Sequence, residues 1–72
     1  MTELKKKINY MVACVSEFSD RYNITEKEAF NYLYDHQGIA FLKEFYDIEH
    51  TLSFEDTLDA LAIICRKHGG KY

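Results

Sequence analysis

The chain has 72 residues, of which 47% are hydrophobic and 15% aromatic, a size that accommodates one hydrophobic core and excludes a two-domain protein. With 29% charged residues and no proline, it does not have the low hydrophobicity and high charge of disordered chains. Residues 8–65 hold eleven acidic and three basic side chains, whereas the two flanks hold one acidic and six basic ones. An acidic body repels phosphate, so nucleic acid is not a favoured partner.

The first apolar pattern predicts a long helix over residues 3–22. Tyr10 and Cys14 widen its apolar face, and Asn23, which readily takes a left-handed conformation, predicts the end of the helix. Because this face is broad, we expect three shorter helices to leave part of it uncovered, and the residual patch to mark an interface, for example in a homodimer. The side chains at the three- and four-residue intervals of one helical face are Leu4, Ile8, Met11, Val12, Val15, Phe18 and Tyr22.

A second helix is predicted to begin at Glu26. Thr25 and Glu28 have the spacing of a capping box, in which each side chain bonds the backbone N–H of the other residue. Gly38 is predicted to end the helix, after His36 and Gln37, because glycine adopts a positive φ without steric cost. The predicted inner face consists of Ala29, Phe30, Leu33 and Tyr34.

The remaining sequence predicts two more helices and no strand. Residues 39–48 are apolar nearly all round, which is typical of a short, central, mostly buried helix, and residues 49–52 form a connector. Ser53 caps a fourth helix that ends at Gly69 and has Phe54, Leu58, Leu61, Ala62 and Cys65 on its apolar face. The predicted fold is all-α: a compact bundle of four helices, the third one short, in a single domain over residues 1–72, with an ordered core over about residues 4–68 and frayed basic ends.

The two cysteines and three histidines do not form a recognisable metal motif. Cys14 and Cys65 lie inside predicted helices, where a free thiol usually behaves as a small buried apolar group, so we expect neither a disulfide nor a cofactor. No C-x-x-C or H-x-x-x-H pair is present. The first residues lack the continuous apolar region of a signal peptide, and no stretch reaches the length of a membrane span. We therefore expect a cytoplasmic protein with no membrane contact.

Tyr46, His50 and Thr51 are the residues that most resemble a reactive group. A tyrosine four residues before a histidine can share its helix face, and such a pair can transfer protons. Catalysis also requires a pocket, which a bundle of this size rarely encloses, so we predict that the chain is not an enzyme. We expect His50 and Thr51 to bond backbone groups left free between helices, with direct partner contact as the alternative.

The order of these features resembles a family of short bacterial proteins of unknown function. The pair His50-Thr51 after Tyr46 is the distinctive part of the match, whereas residues 52–54 depart from the more polar stretch of that family. Members of the family are often encoded beside a larger ADP-ribosyltransferase-like protein, an arrangement that implies a toxin and its small neutralising partner. The other matching residues are Cys14, Glu17, Phe18, Thr25, Glu28, Ala29, Phe30, Leu33, Gly38, Ile39, Phe41, Leu42, Asp56 and residues 65–70.

The favoured hypothesis is therefore a protein-interaction module whose partner is another protein. The resemblance implies that an adjacent gene encodes this partner. One alternative is a nucleic-acid-binding regulator that uses the segment after Gly38, although this segment offers only Lys43 as a base. The other alternative is a homodimeric structural domain. The predicted partner-binding residues are the tyrosines Tyr10 and Tyr32, which lie off the main rows of predicted core residues, the acids Asp35, Glu44 and Asp47, and the Tyr46, His50 and Thr51 cluster.

Overall fold

The computed structural model describes residues 2–72, and in these residues every regular element is an α-helix, as the sequence predicts. The count is five helices rather than four. None of them is both long enough and apolar enough to cross a membrane. The elements are α1 Thr2–Tyr22, α2 Glu26–Asp35, α3 Gly38–Glu44, α4 Tyr46–Glu49 and α5 Phe54–Lys67.

A tight turn joins α1 to α2 and folds the two helices against each other. Asn23 takes the left-handed conformation with φ 54°, which ends α1 as predicted. The Thr25 hydroxyl accepts a hydrogen bond from the Glu28 backbone N–H at 3.0 Å, and the Thr25 backbone N–H donates to the Glu28 carboxylate at 2.9 Å. These bonds lower the pKa of Glu28, and they confirm the predicted capping box.

The core contacts of α2 differ from the predicted ones. Ala29 and Leu33 are buried as expected, but Phe30 and Tyr34 are exposed. Tyr32, placed off the apolar face by the sequence, is only 9% exposed, and its ring lies 5.7 Å from that of Phe18 between centroids. The helix is rotated from its predicted orientation because the Tyr32 hydroxyl has a hydrogen-bond partner inside the fold, the Tyr72 backbone N–H, which donates to it at 3.0 Å.

Gly38 has a different role from the predicted one. The residue with positive φ between α2 and α3 is Gln37, at φ 68°, and Gly38 is the first residue of α3. A Cβ atom on Gly38 would lie 2.7 Å from Leu33 Cδ2 and 3.1 Å from the Leu33 carbonyl oxygen. Glycine is therefore needed here for the close approach of α3 to α2, and not for the turn.

The predicted third helix is two short helices, and it is not buried all round. α3 and α4 meet at Phe45, whose φ of −106° and ψ of 22° interrupt the helix. Leu42 and Tyr46 point into the protein, whereas Phe45 and Ile48 are exposed. Glu49, expected in a connector, is the buried last residue of α4.

The last helix and the chain end close the bundle. Ser53 caps α5 as predicted, accepting a hydrogen bond from the Asp56 backbone N–H at 3.2 Å. Of the predicted apolar face of α5, only Phe54 is exposed. The sequence predicts a frayed end after residue 68, whereas Tyr72 packs against the core. Met1, where the predicted domain begins, lies outside the described residues. The side chains buried to 0% exposure are Cys14, Phe18, Ala29, Leu33, Leu42, Thr57, Leu61 and Cys65.

The geometry at the α2–α3 junction makes a testable prediction about stability. Gly38→Ala is expected to lower the free energy of unfolding by about 1–3 kcal/mol, because the added methyl group collides with Leu33. Gln37→Gly removes a side chain from a left-handed position and is expected to be neutral or to stabilise by up to about 1 kcal/mol. Urea denaturation measures both. The opposite result, with Gly38→Ala tolerated and Gln37→Gly destabilising, would contradict a requirement for glycine at the close approach of α3 to α2.

Candidate interaction surfaces

Three of the predicted partner-binding residues, Tyr10, Tyr46 and His50, lie in one aromatic cluster between α1 and α4. The Tyr10 and Tyr46 rings meet edge to face, with centroids 5.5 Å apart, and the His50 ring stacks on Tyr46 at 4.5 Å with an interplanar angle of 12°. Lys7 Nζ lies 5.7 Å from the Tyr46 ring centroid, and the Phe54 ring stacks on Tyr10. Since Tyr46 is buried, the cluster anchors α4 to α1.

A chain of hydrogen bonds continues from this cluster into the interior. The Thr57 hydroxyl donates to the Glu49 backbone carbonyl at 3.4 Å and lies 3.1 Å from the Tyr10 hydroxyl. Because Thr57 has only one hydroxyl proton, Tyr10 is the donor in the second bond. Among the described residues, the Glu49 Oε1 atom is buried without a hydrogen-bond partner. Tyr10 therefore ties α1 to α5 and, through Thr57, to α4.

Burial controls the ionisation of the neighbouring groups. Burial raises the pKa of Tyr10 to about 12. Burial likewise raises the pKa of Cys14 and of Cys65 to about 11. Both thiols are unpaired and protonated at neutral pH. A protonated, buried thiol is a poor nucleophile and a poor metal ligand.

His50 and Thr51 bond backbone groups at the end of α4, as the structural interpretation predicts. His50 Nδ1 lies 2.7 Å from the Tyr46 carbonyl oxygen, and the Thr51 hydroxyl donates to the Ile48 carbonyl at 2.7 Å. A carbonyl only accepts, so Nδ1 carries the proton. That nitrogen bonds the backbone and not the Tyr46 hydroxyl, which argues against the proton-transfer pair.

The same arrangement occurs at the end of α2. His36 Nδ1 lies 2.8 Å from the Tyr32 carbonyl oxygen, and the two rings lie 4.4 Å apart between centroids. His36, His50 and His68 occupy the C-cap positions of α2, α4 and α5. Imidazole groups suit the negative end of a helix dipole. A structural role thus accounts for His36 and His50, whose rings bond backbone carbonyl groups near the ends of their helices.

The outer side of α4 combines exposed apolar and acidic side chains. Phe45, Ile48 and Leu52 follow one another at three- and four-residue intervals, and the backbone bond from the Leu52 N–H to the Glu49 carbonyl continues the helical turn beyond α4. Ile48 is 62% exposed. We use the name "α4 surface" for five exposed residues in and beside α4, which are Glu44, Phe45, Asp47, Ile48 and Leu52.

A second exposed surface is an apolar groove between α1, α2 and α3, with a volume of about 240 Å³. On α1 its wall includes Ile8 and Val12, which are more than half exposed. On α2 the wall is Phe30, which the sequence assigned to the core. Glu26, at the start of α2, is the one acidic side chain in the lining. The residues that line the groove are Ile8, Met11, Val12, Val15, Glu26, Phe30 and Ile39.

The structure divides the predicted partner-binding residues into outward and inward groups. Asp35, Glu44, Asp47, His50 and Thr51 are exposed. Tyr32 and Tyr46 are buried, and Tyr10 is half-buried. Asp35 and Tyr32 both belong to α2, and their predicted role in partner binding stays a prediction.

Sequence reasoning anticipated an uncovered apolar patch on the first helix but did not locate it. Leu4, Ile8 and Val12 follow the same helical period as the core residues, so periodicity alone places them inside. The signal that could have located the patch is length, because α1 has 21 residues whereas α2 has only 10. The first two turns of α1 therefore extend beyond α2.

Alkaline conditions are expected to destabilise the fold through the buried thiols. The pKa of Cys14 and Cys65 rises from an ordinary 9.0 to about 11, so the unfolded chain loses these protons first and the free energy of unfolding falls between about pH 9 and pH 11. Urea midpoints measured from pH 8 to pH 11 test this. The double variant Cys14→Ala/Cys65→Ala should show a shallower decline, and an equally steep decline would assign it to other groups.

Comparison with known proteins adds the family of this chain. No curated protein and no solved structure matches it. Residues 9–68 match the model of a protein family described as "Protein of unknown function (DUF3791)". The match includes the last two thirds of α1, the whole of α2, α3, α4 and α5, and the His50-Thr51 pair at the end of α4. The chain therefore belongs to the DUF3791 family.

Proposed function

We propose that this chain is a small cytoplasmic protein-interaction module that binds and neutralises an ADP-ribosyltransferase-like protein encoded beside it. The resemblance noted from the sequence is the source of the partner's identity. The α4 surface is the observation that carries the proposal, because it joins exposed apolar side chains to a concentration of negative charge. In this proposal the partner presents a basic surface with an apolar centre.

The charge around the α4 surface supports a basic partner. Residues 44–65 contain six acidic side chains and no lysine or arginine. Asp59 is paired with Arg21 at 2.7 Å and Glu49 is buried. Glu55 and Asp56 lie in the first turn of α5, and Glu44 and Asp47 are the exposed acids of the α4 surface. Complementary charge speeds association and rejects acidic partners.

The apolar side chains supply the central contacts of the proposed interface. Phe45, Ile48 and Leu52 are each at least 40% exposed and lie at three- and four-residue intervals from the start of α4 to just beyond its end. Their backbone is held by the bonds at the end of α4 and by the packing of Tyr46, so little conformational freedom is lost on binding. Anchors of this kind, surrounded by charge, are typical of interface centres.

Binding to nucleic acid has less support than binding to protein. Lys43 on α3 is followed by the exposed acid Glu44, and no lysine or arginine occurs again before Arg66. Phosphate recognition depends on clustered positive charge. The α4 surface has the opposite sign.

Charge reversal on the α4 surface is expected to abolish most of the affinity. The double variant Glu44→Lys/Asp47→Lys should weaken binding of the neighbouring ADP-ribosyltransferase-like protein by at least about tenfold, which corresponds to about 1.4 kcal/mol. Ile48→Ala should weaken binding through the loss of an apolar contact. Calorimetric titration measures the dissociation constants, and circular dichroism shows whether each variant is folded.

Matched variants away from the α4 surface provide the controls. The double variant Glu17→Lys/Asp20→Lys on α1 makes the same charge change at two exposed acids, and Ile63→Ala on α5 removes an apolar side chain of similar exposure. Both are expected to bind like the wild-type chain. Equal weakening by the control and surface variants would contradict the α4 surface as the site, and failure of the wild-type chain to bind the neighbouring protein would contradict the proposed function.

A further inference from the structure

The groove between α1, α2 and α3 is an apolar feature that the proposed function does not use. Beside it, Leu4, Ile8 and Val12 form a row along α1 at four-residue intervals, and each is more than half exposed. The surface thus contains both a ridge on α1 and a depression next to it. A ridge and a depression side by side are the elements of a self-complementary contact.

A two-fold axis near Val12 would place the two copies of this surface against each other. The α1 helices would then run in opposite directions, with the row of Leu4, Ile8 and Val12 of each copy beside the groove of the other. Rows at four-residue spacing interdigitate in the commonest class of helix packing in globular proteins. The ridge that one copy exposes would therefore fill the depression of the other.

The charges at the two ends of the groove favour this arrangement. Lys5 is exposed and shares a helix face with Ile8 and Val12, three and seven residues further on. Glu26 lines the groove at the opposite end, just after α1 has ended. A two-fold axis between the ends brings the basic end of one copy to the acidic end of the other. Lys5 of each copy then lies near Glu26 of the other, so the dimer contains two such pairs of opposite charge.

The α4 surface is not suited to the same contact. Glu44 and Asp47 are both negative, and a two-fold axis there would place like charges opposite one another. Such juxtaposition is costly in an interface. A second copy therefore fits the groove and leaves the α4 surface free.

We propose that the groove binds α1 of a second copy of this chain, forming a two-fold dimer in which Lys5 of each protomer pairs with Glu26 of the other. The dimer buries the part of α1 that α2 is too short to cover. A domain of this size has little stability to spare, and burial of a shared apolar surface compensates for its small core.

Sedimentation equilibrium of the full chain over a range of concentrations tests the dimer. The wild-type chain is expected to show the mass of two chains, and Val12→Glu and Ile8→Glu are expected to raise the dimer dissociation constant by at least about a hundredfold. Ile63→Glu introduces the same charge at an equally exposed residue on α5 and should dimerise like the wild-type chain. Circular dichroism establishes that the variants are folded.

Charge exchange tests the two-fold arrangement separately. Lys5→Glu should weaken the dimer, and the double variant Lys5→Glu/Glu26→Lys should restore it, because each pair is remade with its signs exchanged. Lys6→Glu, on a different face of α1, is the control and should have little effect. A wild-type chain that stays monomeric at about 500 μM, or groove variants that dimerise normally, would overturn the dimer. A double variant no tighter than Lys5→Glu would overturn its two-fold geometry.

Discussion

The structure depends on a difference in length between the helices. The first helix, α1, has 21 residues, whereas α2 and α5, which pack against it, have 10 and 14 residues. At about 1.5 Å per residue, α1 is about 31 Å long, roughly twice the length of α2. Its C-terminal half is enclosed, and Cys14 and Phe18 are fully buried there. Its N-terminal half has α4 and the start of α5 on one side, through Tyr10, and an open apolar groove on the other. The two candidate surfaces follow from this uneven coverage.

Much of the fold could be predicted because short sequence signals determine where the helices begin and end. The capping box at Thr25, the left-handed Asn23 and the cap at Ser53 are determined by short-range chemistry, and each lies where the sequence predicts it. The orientation of α2 could not be predicted in this way. Both Phe30 and Tyr32 fit a helical apolar period, and the choice between them depends on Tyr72, which is distant in sequence and supplies the hydrogen bond for the Tyr32 hydroxyl.

The candidate surfaces were harder to predict than the helices for a related reason. Hydrophobic periodicity shows which residues share a face but not whether another element covers that face. Ile8 and Val12 have the pattern of core residues, and Phe45 and Ile48 lie in a run that is apolar nearly all round, yet all four are exposed. The exposed acids Glu44 and Asp47 could be predicted because charge is rarely buried without a partner. Glu49, only 8% exposed, is the exception.

We predict that the protein has two separate binding faces, an acidic one for a different protein and an apolar one for a second copy. The most direct measurement is an isotope-filtered nuclear Overhauser experiment on a mixture of labelled and unlabelled full-length chain. We expect contacts between protomers from the methyl protons of Ile8 and Val12 to groove residues of the other copy, and none from Ile48. Contacts between protomers that arise at Ile48 and Leu52, or none at all at millimolar concentration, would contradict the division of the surface into these two faces.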